Sequence, residues 1–221
     1  MLTLKDILSS CQPLVESGAA LHWLRPKSKA PADENWSTAQ VNNLDALKHK
    51  HLADQNIGIR LGQYSKTQAG YIHVIDVDIR DPDQSHDAWD AVRSILGLKV
   101  ENLPVVVSGS GGESRHVYIL TEKPLNSRKI AKSDGFSMVF DPKLGREVKK
   151  FDWEIDFFGT GKQVVVPPSL HPDTGLPYRW EREFDYALLD LGLGPVVDTT
   201  GWPVNSTEDD AEDDDDDLFA I

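Results

Sequence analysis

The stretch "HVIDVDIR", residues 73–80, decides how the rest of the chain is read. Apolar and acidic residues alternate in it, and along a strand alternate side chains point to opposite faces. Ile75, Val77 and Ile79 therefore share a core face, while Asp76 and Asp78 lie side by side on the other. Two neighbouring carboxylates repel each other unless water or a cation stands between them. Two readings follow: an amphipathic strand with a solvated face, or a pair of hard oxygen ligands for a divalent metal.

Downstream of this strand, Ser85 is placed to N-cap a helix through "HDAWDAVRSILG", which Gly97 ends. "LPVVVSGSGGESRHVYIL", 103–120, reads as strand, glycine loop, strand. "FDWEIDFFGTGKQVVVPPSLHPDTGLPYRW", 151–180, repeats that pattern, with turn signals at Gly159–Gly161 and Asp173–Gly175. Residues 125–150 between them read as a loop or a loop with a short helix, and a last helix is expected near 183–191. Upstream, "NIGIRLG", 56–62, is a strand, residues 42–52 a helix, and "ALHWLRPKSKAP", 20–31, a strand running into a loop. The start, "MLTLKDILSSCQPLVESG", is an amphipathic helix with Leu4, Ile7, Leu8, Cys11 and Leu14 on one side. There is no internal repeat. The pattern predicts an α+β fold around a mixed, largely antiparallel sheet.

At 221 residues the chain can bury one sizeable core or two small ones. Its single cysteine excludes an internal disulfide and a cysteine-based zinc module, and Cys11 reads as a small core residue. No run is long and apolar enough for a membrane span and the start does not read as a leader, so a cytoplasmic protein is expected. The net charge of −13 is concentrated: "EDDAEDDDDD", 208–217, carries nine acids, which leaves four net negative charges on residues 1–207. A local basic groove is compatible with that body, with Lys27, Lys29, Lys48, Lys50, Lys149, Lys150 and Lys162 as contributors. We divide the chain into a folded domain, 1–207, and an acidic tail, 208–221, expected to be disordered because it repels itself and has no apolar residue larger than Ala211 before Leu218.

In "FDWEIDFFG" the strand alternation recurs, with Asp152, Glu154 and Asp156 on one face. Asp156 stands next to the glycine turn, where a strand end opens onto a cleft, and so is the third carboxylate to join Asp76 and Asp78. Three carboxylates from two strands can hold two divalent ions about 4 Å apart, which activate an attacking oxygen and steady a leaving phosphate. "SGSGGESRH", 108–116, adds glycines that let backbone approach an anion, followed by Ser114, Arg115 and His116 as donors. "GTGKQVVVPPSLH" adds Lys162, Ser169 and His171. Each piece also has a plain reading, as solvated strand faces, a hairpin turn and a core histidine.

Taken together, the chain resembles the catalytic domain of the bifunctional primase-polymerases of the archaeo-eukaryotic primase superfamily, found in phages, plasmids and other mobile elements. The family's hhhDhD, SxH and hD motifs are matched by "VIDVD", "SRH" and "EID". "LRPKSKAP", "NIGIRLG" and "VVVPPSLHPDTGLPYRW" are similar to its flanking segments, so the resemblance spans residues 20–180. It implies an α+β prim-pol fold, with an N-terminal α/β unit packed on an RNA-recognition-motif-like (RRM-like) sheet unit. It also implies template-directed nucleotidyl transfer, as DNA primase and DNA polymerase. Asp76, Asp78 and Asp156 would be the catalytic residues and would bind two Mg²⁺ or Mn²⁺ ions. Ser114, His116, Lys162 and His171 would contact the nucleotide, with Lys27 and Lys29 behind them and Arg115 facing away. The implied partners are a single-stranded DNA template, nucleoside triphosphates and a replicative helicase or other replication protein, in a host cytoplasm if the gene is a phage's. Two other functions use such a cleft: a catalytically inactive single-strand-binding replication initiator, and a metal-dependent phosphohydrolase or nuclease.

Overall fold

The computed structural model describes residues 3–97, 100–142 and 144–202. The acidic segment 208–221 and the expected boundary at 207 lie outside them. Helix α1 (Leu4–Glu16) starts at Thr3, whose hydroxyl accepts from Asp6 N–H while the Asp6 carboxylate accepts from Thr3 N–H. It buries Ile7, Cys11 and Leu14. Burial pushes the Cys11 thiol up to about 12, as suits a core residue rather than a nucleophile. Strand β1 (Ala20–Pro26), helix α2 (Leu44–Lys50) and strand β2 (Gln55–Arg60) follow. Next come β3 (Tyr71–Ile79), α3 (Ser85–Leu96), β4 (Val105–Val107) and β5 (Arg115–Thr121). The remaining strands are β6 (Arg128–Lys132), β7 (Phe136–Asp141), β8 (Arg146–Phe151), β9 (Trp153–Phe158), β10 (Gln163–Val165) and β11 (Arg179–Arg182). Helix α4 (Tyr186–Asp190) comes last.

These strands form a six-stranded sheet in the order β11-β4-β5-β3-β9-β6, a three-stranded sheet β1-β2-β10 and the separate hairpin β7-β8. Every ladder between them is antiparallel. The fold is therefore α+β. The N-terminal unit is completed from far downstream, because β10 supplies the third strand of its sheet.

The large sheet is covered on both faces, which explains where the acids fall. On the back, Ile75, Val77, Ile79, Val117, Ile155 and Phe157 pack with Ala88, Val92 and Leu96 of α3. On the front, Ile72, Val74, Tyr118, Leu120 and Phe158 share a core with α1 and the small sheet. Along β3 the front face is thus apolar at 72 and 74 and acidic at 76 and 78, where the covering layer ends. Both sequence readings of this strand assumed one buried face; the structure buries one face fully and half of the other.

Three local expectations are corrected. Residues 125–150 are not a loop with a helix: they hold β6, β7 and most of β8. Ser85 is not the N-cap of α3, because a 3₁₀ turn, Pro82–Gln84, capped by Asp81 precedes it, and the Ser85 hydroxyl donates to the Glu113 carboxylate instead. The strand expected from Phe151 onward is broken at Asp152, between β8 and β9. The left-handed Gly97 does end α3, and the last helix is shorter than expected. Among the described residues no helix is long and apolar enough to cross a membrane.

Candidate functional site

Strand register assembles the site. Asp76 of β3 pairs with His116 of β5 on one side and with Asp156 of β9 on the other. The row continues to Val106 of β4 and to Lys129 of β6. Directly opposed residues of an antiparallel ladder share a face. One row therefore holds an imidazole, two carboxylates and an ammonium. The next row pairs Asp78 with Glu154, and Glu154 with Lys132.

His116 Nε2 lies 3.5 Å from Asp76 Oδ1. Burial, assisted by the positive charge of Lys29, pushes the His116 pKa down to about 3, so its ring is neutral. Its Nδ1 is buried without a protein partner, which leaves one ring nitrogen uncommitted. The ring tilts against Tyr178 at 5.9 Å, and Tyr178 in turn meets His171 at 6.0 Å. His171 is also shifted down by burial and by Lys29, with Asp173 opposing. Lys29 thus directs its charge at both histidines. Lys27 and His171 both line a cavity of about 500 Å³, with Asp54, Asn56 and Ser169 among its other walls. That volume lies within the usual range for small-ligand sites.

The glycine loop before His116 is held against the "PPSLHPDTG" turn by close backbone approach. A Cβ on Gly109 would stand 2.5 Å from Leu176 O and 2.7 Å from His171 Cβ, so only glycine fits. This contact brings His171 to the site from a separate part of the chain.

Asp78 is held differently from Asp76. Its Oδ2 is 2.6 Å from Arg80 Nη2, and its Oδ1 accepts from Ser114 Oγ at 3.1 Å. Ser114 Oγ also accepts from Ile79 N–H at 3.0 Å. The serine hydroxyl thus fastens the glycine loop to the end of β3. Arg80 reaches further, with Nη1 at 2.5 Å from Glu154 Oε2 and 2.9 Å from Phe151 O. Lys162 places its ammonium 5.7 Å from the Phe158 ring, two residues along β9 from Asp156 on the same face. Arg115 sits in register with Val77 on the back face and pairs with Glu181 at 3.0 Å, turned away from His116.

All the residues expected at the site, Asp76, Asp78, Ser114, His116, Asp156, Lys162 and His171, therefore lie on or beside one face. The carboxylates are hard oxygen donors of the kind that suits Mg²⁺ or Mn²⁺. Among the described residues, however, no three His, Cys, Asp or Glu side chains are gathered closely enough to hold a metal, and Asp78 is engaged with Arg80 and Ser114. Sequence reasoning passed over Arg80, Glu154 and Tyr178. The first two carried a signal, since Arg80 is two residues from Asp78 and Glu154 two from Asp156 on the same faces. Tyr178 carried none of its own.

The sequence profile of the Prim-Pol family, described as bifunctional DNA primase/polymerase, N-terminal, matches residues 12–191. The chain belongs to that family. Membership supports a nucleotidyltransferase of the primase/polymerase type. No curated protein and no solved structure matches the chain.

Proposed function

We propose that the chain is a template-directed nucleotidyltransferase, a DNA primase and DNA polymerase serving replication of a phage, plasmid or other mobile element. The observation that carries this reading is the single row His116–Asp76–Asp156, in which three separate motifs meet by strand register. Asp76, Asp78 and Asp156 would hold two Mg²⁺ or Mn²⁺ ions. When bound, such ions lower the pKa of an attacking hydroxyl and neutralise charge on a triphosphate. For Asp78 to join them, its carboxylate must turn from Arg80 toward Asp76. That ion pair is partly exposed, at 33% and 43% of the two side chains, and gives way at little cost.

The remaining residues act on the nucleotide. His116, neutral and with its Nε2–H turned to Asp76, offers the uncommitted Nδ1 as an acceptor for a sugar hydroxyl without adding charge. Lys29 and Lys162 bring positive charge to the same face for a triphosphate, and His171 closes it from the side of the cavity. Ser114 contributes through Asp78 and the glycine loop, which it holds in place for the phosphates. The partners are a single-stranded template, nucleoside triphosphates and a helicase or other replication protein.

The test is synthesis by the full chain from labelled nucleotides, primed and unprimed, with each nucleotide type and each metal. Product that requires both template and triphosphate supports the reading. Cleavage of DNA without triphosphate would make the protein a nuclease, and metal-independent DNA binding without turnover would make it a binding module.

A further inference from the structure

The hairpin β7-β8 pairs with neither sheet and exposes apolar side chains in an ordered way. Phe136, Met138 and Phe140 are 47%, 50% and 61% exposed and alternate along β7, so they share one face. Phe151 and Lys149 of β8 stand opposite Phe136 and Met138 on that face. The lysines are set on the rings: Lys149 Nζ lies 5.0 Å from the Phe136 centroid and Lys132 Nζ 4.3 Å from that of Phe151. Aromatic faces interleaved with cations suit bases and phosphates of a single strand. A duplex hides its base faces and would gain only the charges.

Position gives this face its purpose. Lys132 is in register with Glu154, on the acidic face of the large sheet, and its contact with Phe151 makes the hairpin's aromatic face continue that surface. Arg80 ties the two together, bonding Phe151 O at the hairpin root and Asp78 in the site. We propose that this face of β7-β8 is the platform on which single-stranded template DNA lies as it enters the acidic cleft. The proposal rests on the reading of the chain as a template-directed enzyme. Positive charge supports that occupant at the end nearer the site, where Lys132 and Lys149 sit on the Phe151 and Phe136 rings, while Glu147 stands opposite Phe140 and Arg146 and Lys150 belong to the hairpin's other face.

The experiment is fluorescence anisotropy of a labelled oligothymidylate with the full chain, across a salt series, beside primer extension. Phe140→Ala removes an exposed ring and so keeps the fold. It should weaken single-strand binding about fivefold to a hundredfold while leaving duplex binding within about twofold. Lys149→Ala should reduce the slope of log affinity against log salt by about 0.7. Phe140→Ala and Phe136→Ala proteins that bind the oligothymidylate like the unaltered chain would overturn the proposal. So would an unaltered chain that does not bind it at all. A dimer in sedimentation that Phe140→Ala converts to monomer, with DNA affinity unchanged, would instead assign the face to contact between copies. An unaltered chain that binds the strand through Phe140 yet extends no primer would overturn the enzymatic reading and leave the platform standing.

Discussion

At the scale of single residues, neighbouring carboxylates in one motif have different environments. Asp76 faces His116 and Asp156 across the ladders, whereas Asp78 is turned to Arg80 and Ser114. On the proposed two-metal reading, Asp78→Asn should lower primer extension by about a hundredfold or more, because that reading makes Asp78 a ligand worth several kcal/mol in the transition state. It should change unfolding free energy by less than about 1 kcal/mol, since the ion pair it breaks is partly solvated. Extension kinetics and urea midpoints of the same variant read both. His116→Ala should raise the KM for nucleotide while leaving template affinity within about twofold; the reverse split would remove His116 from the nucleotide site. Strand alternation made Asp76, Asp78 and Asp156 legible as a set. The hold of Arg80 on Asp78 was not, because it depends on the break at Asp152, which brings Phe151 O and Glu154 within reach of one guanidinium.

At the scale of elements, periodicity was a good guide wherever one face of a strand is buried. β2, β3, β5 and β9 and helices α1 and α3 stand where apolar spacing put them. Residues 125–150 failed for a physical reason: "FSMVFD" of β7 is exposed on both faces, so no buried stripe marks it, and the lysines around it read as loop. The small sheet was half legible, since β10 joins β2 with Gln163 opposite Arg60, far apart in sequence, and no local signal announces such pairing. The joint between the two depends on Gly62, after β2. Its φ is +65°, and a Cβ there would lie 2.5 Å from Thr160 N and 2.8 Å from Thr160 Cα. Both obstacles are backbone, so Gly62→Ala should cost about 2 kcal/mol or more. Denaturant unfolding measures this, and a cost below about 0.5 kcal/mol would mean the turns separate freely.

At the scale of the whole molecule, the sheet sandwich buries histidines that must stay neutral. His73 is fully buried, with Nδ1 at 3.0 Å from Tyr71 O and Nε2 accepting from Leu125 N–H. Burial pushes its pKa down to about 4, and that of His22 to about 3. The unfolded chain, with histidine pKa values near 6.5, binds these protons first, so stability rises with pH between about 4 and 6.5. From pH 7 to pH 5 the protein should lose about 1–2 kcal/mol for each such histidine, and His73→Gln should flatten the slope of urea midpoint against pH. The same two-sided burial leaves one end of the front face open, the end at which we propose nucleotidyl transfer takes place. Template-dependent extension of a labelled primer by the unaltered chain and by Asp76→Asn, in Mg²⁺ and in Mn²⁺, tests it most directly. The account predicts extension by the first, at least about a hundredfold less by the second, and equal binding of single-stranded DNA by both. Equal extension by the two proteins would contradict it.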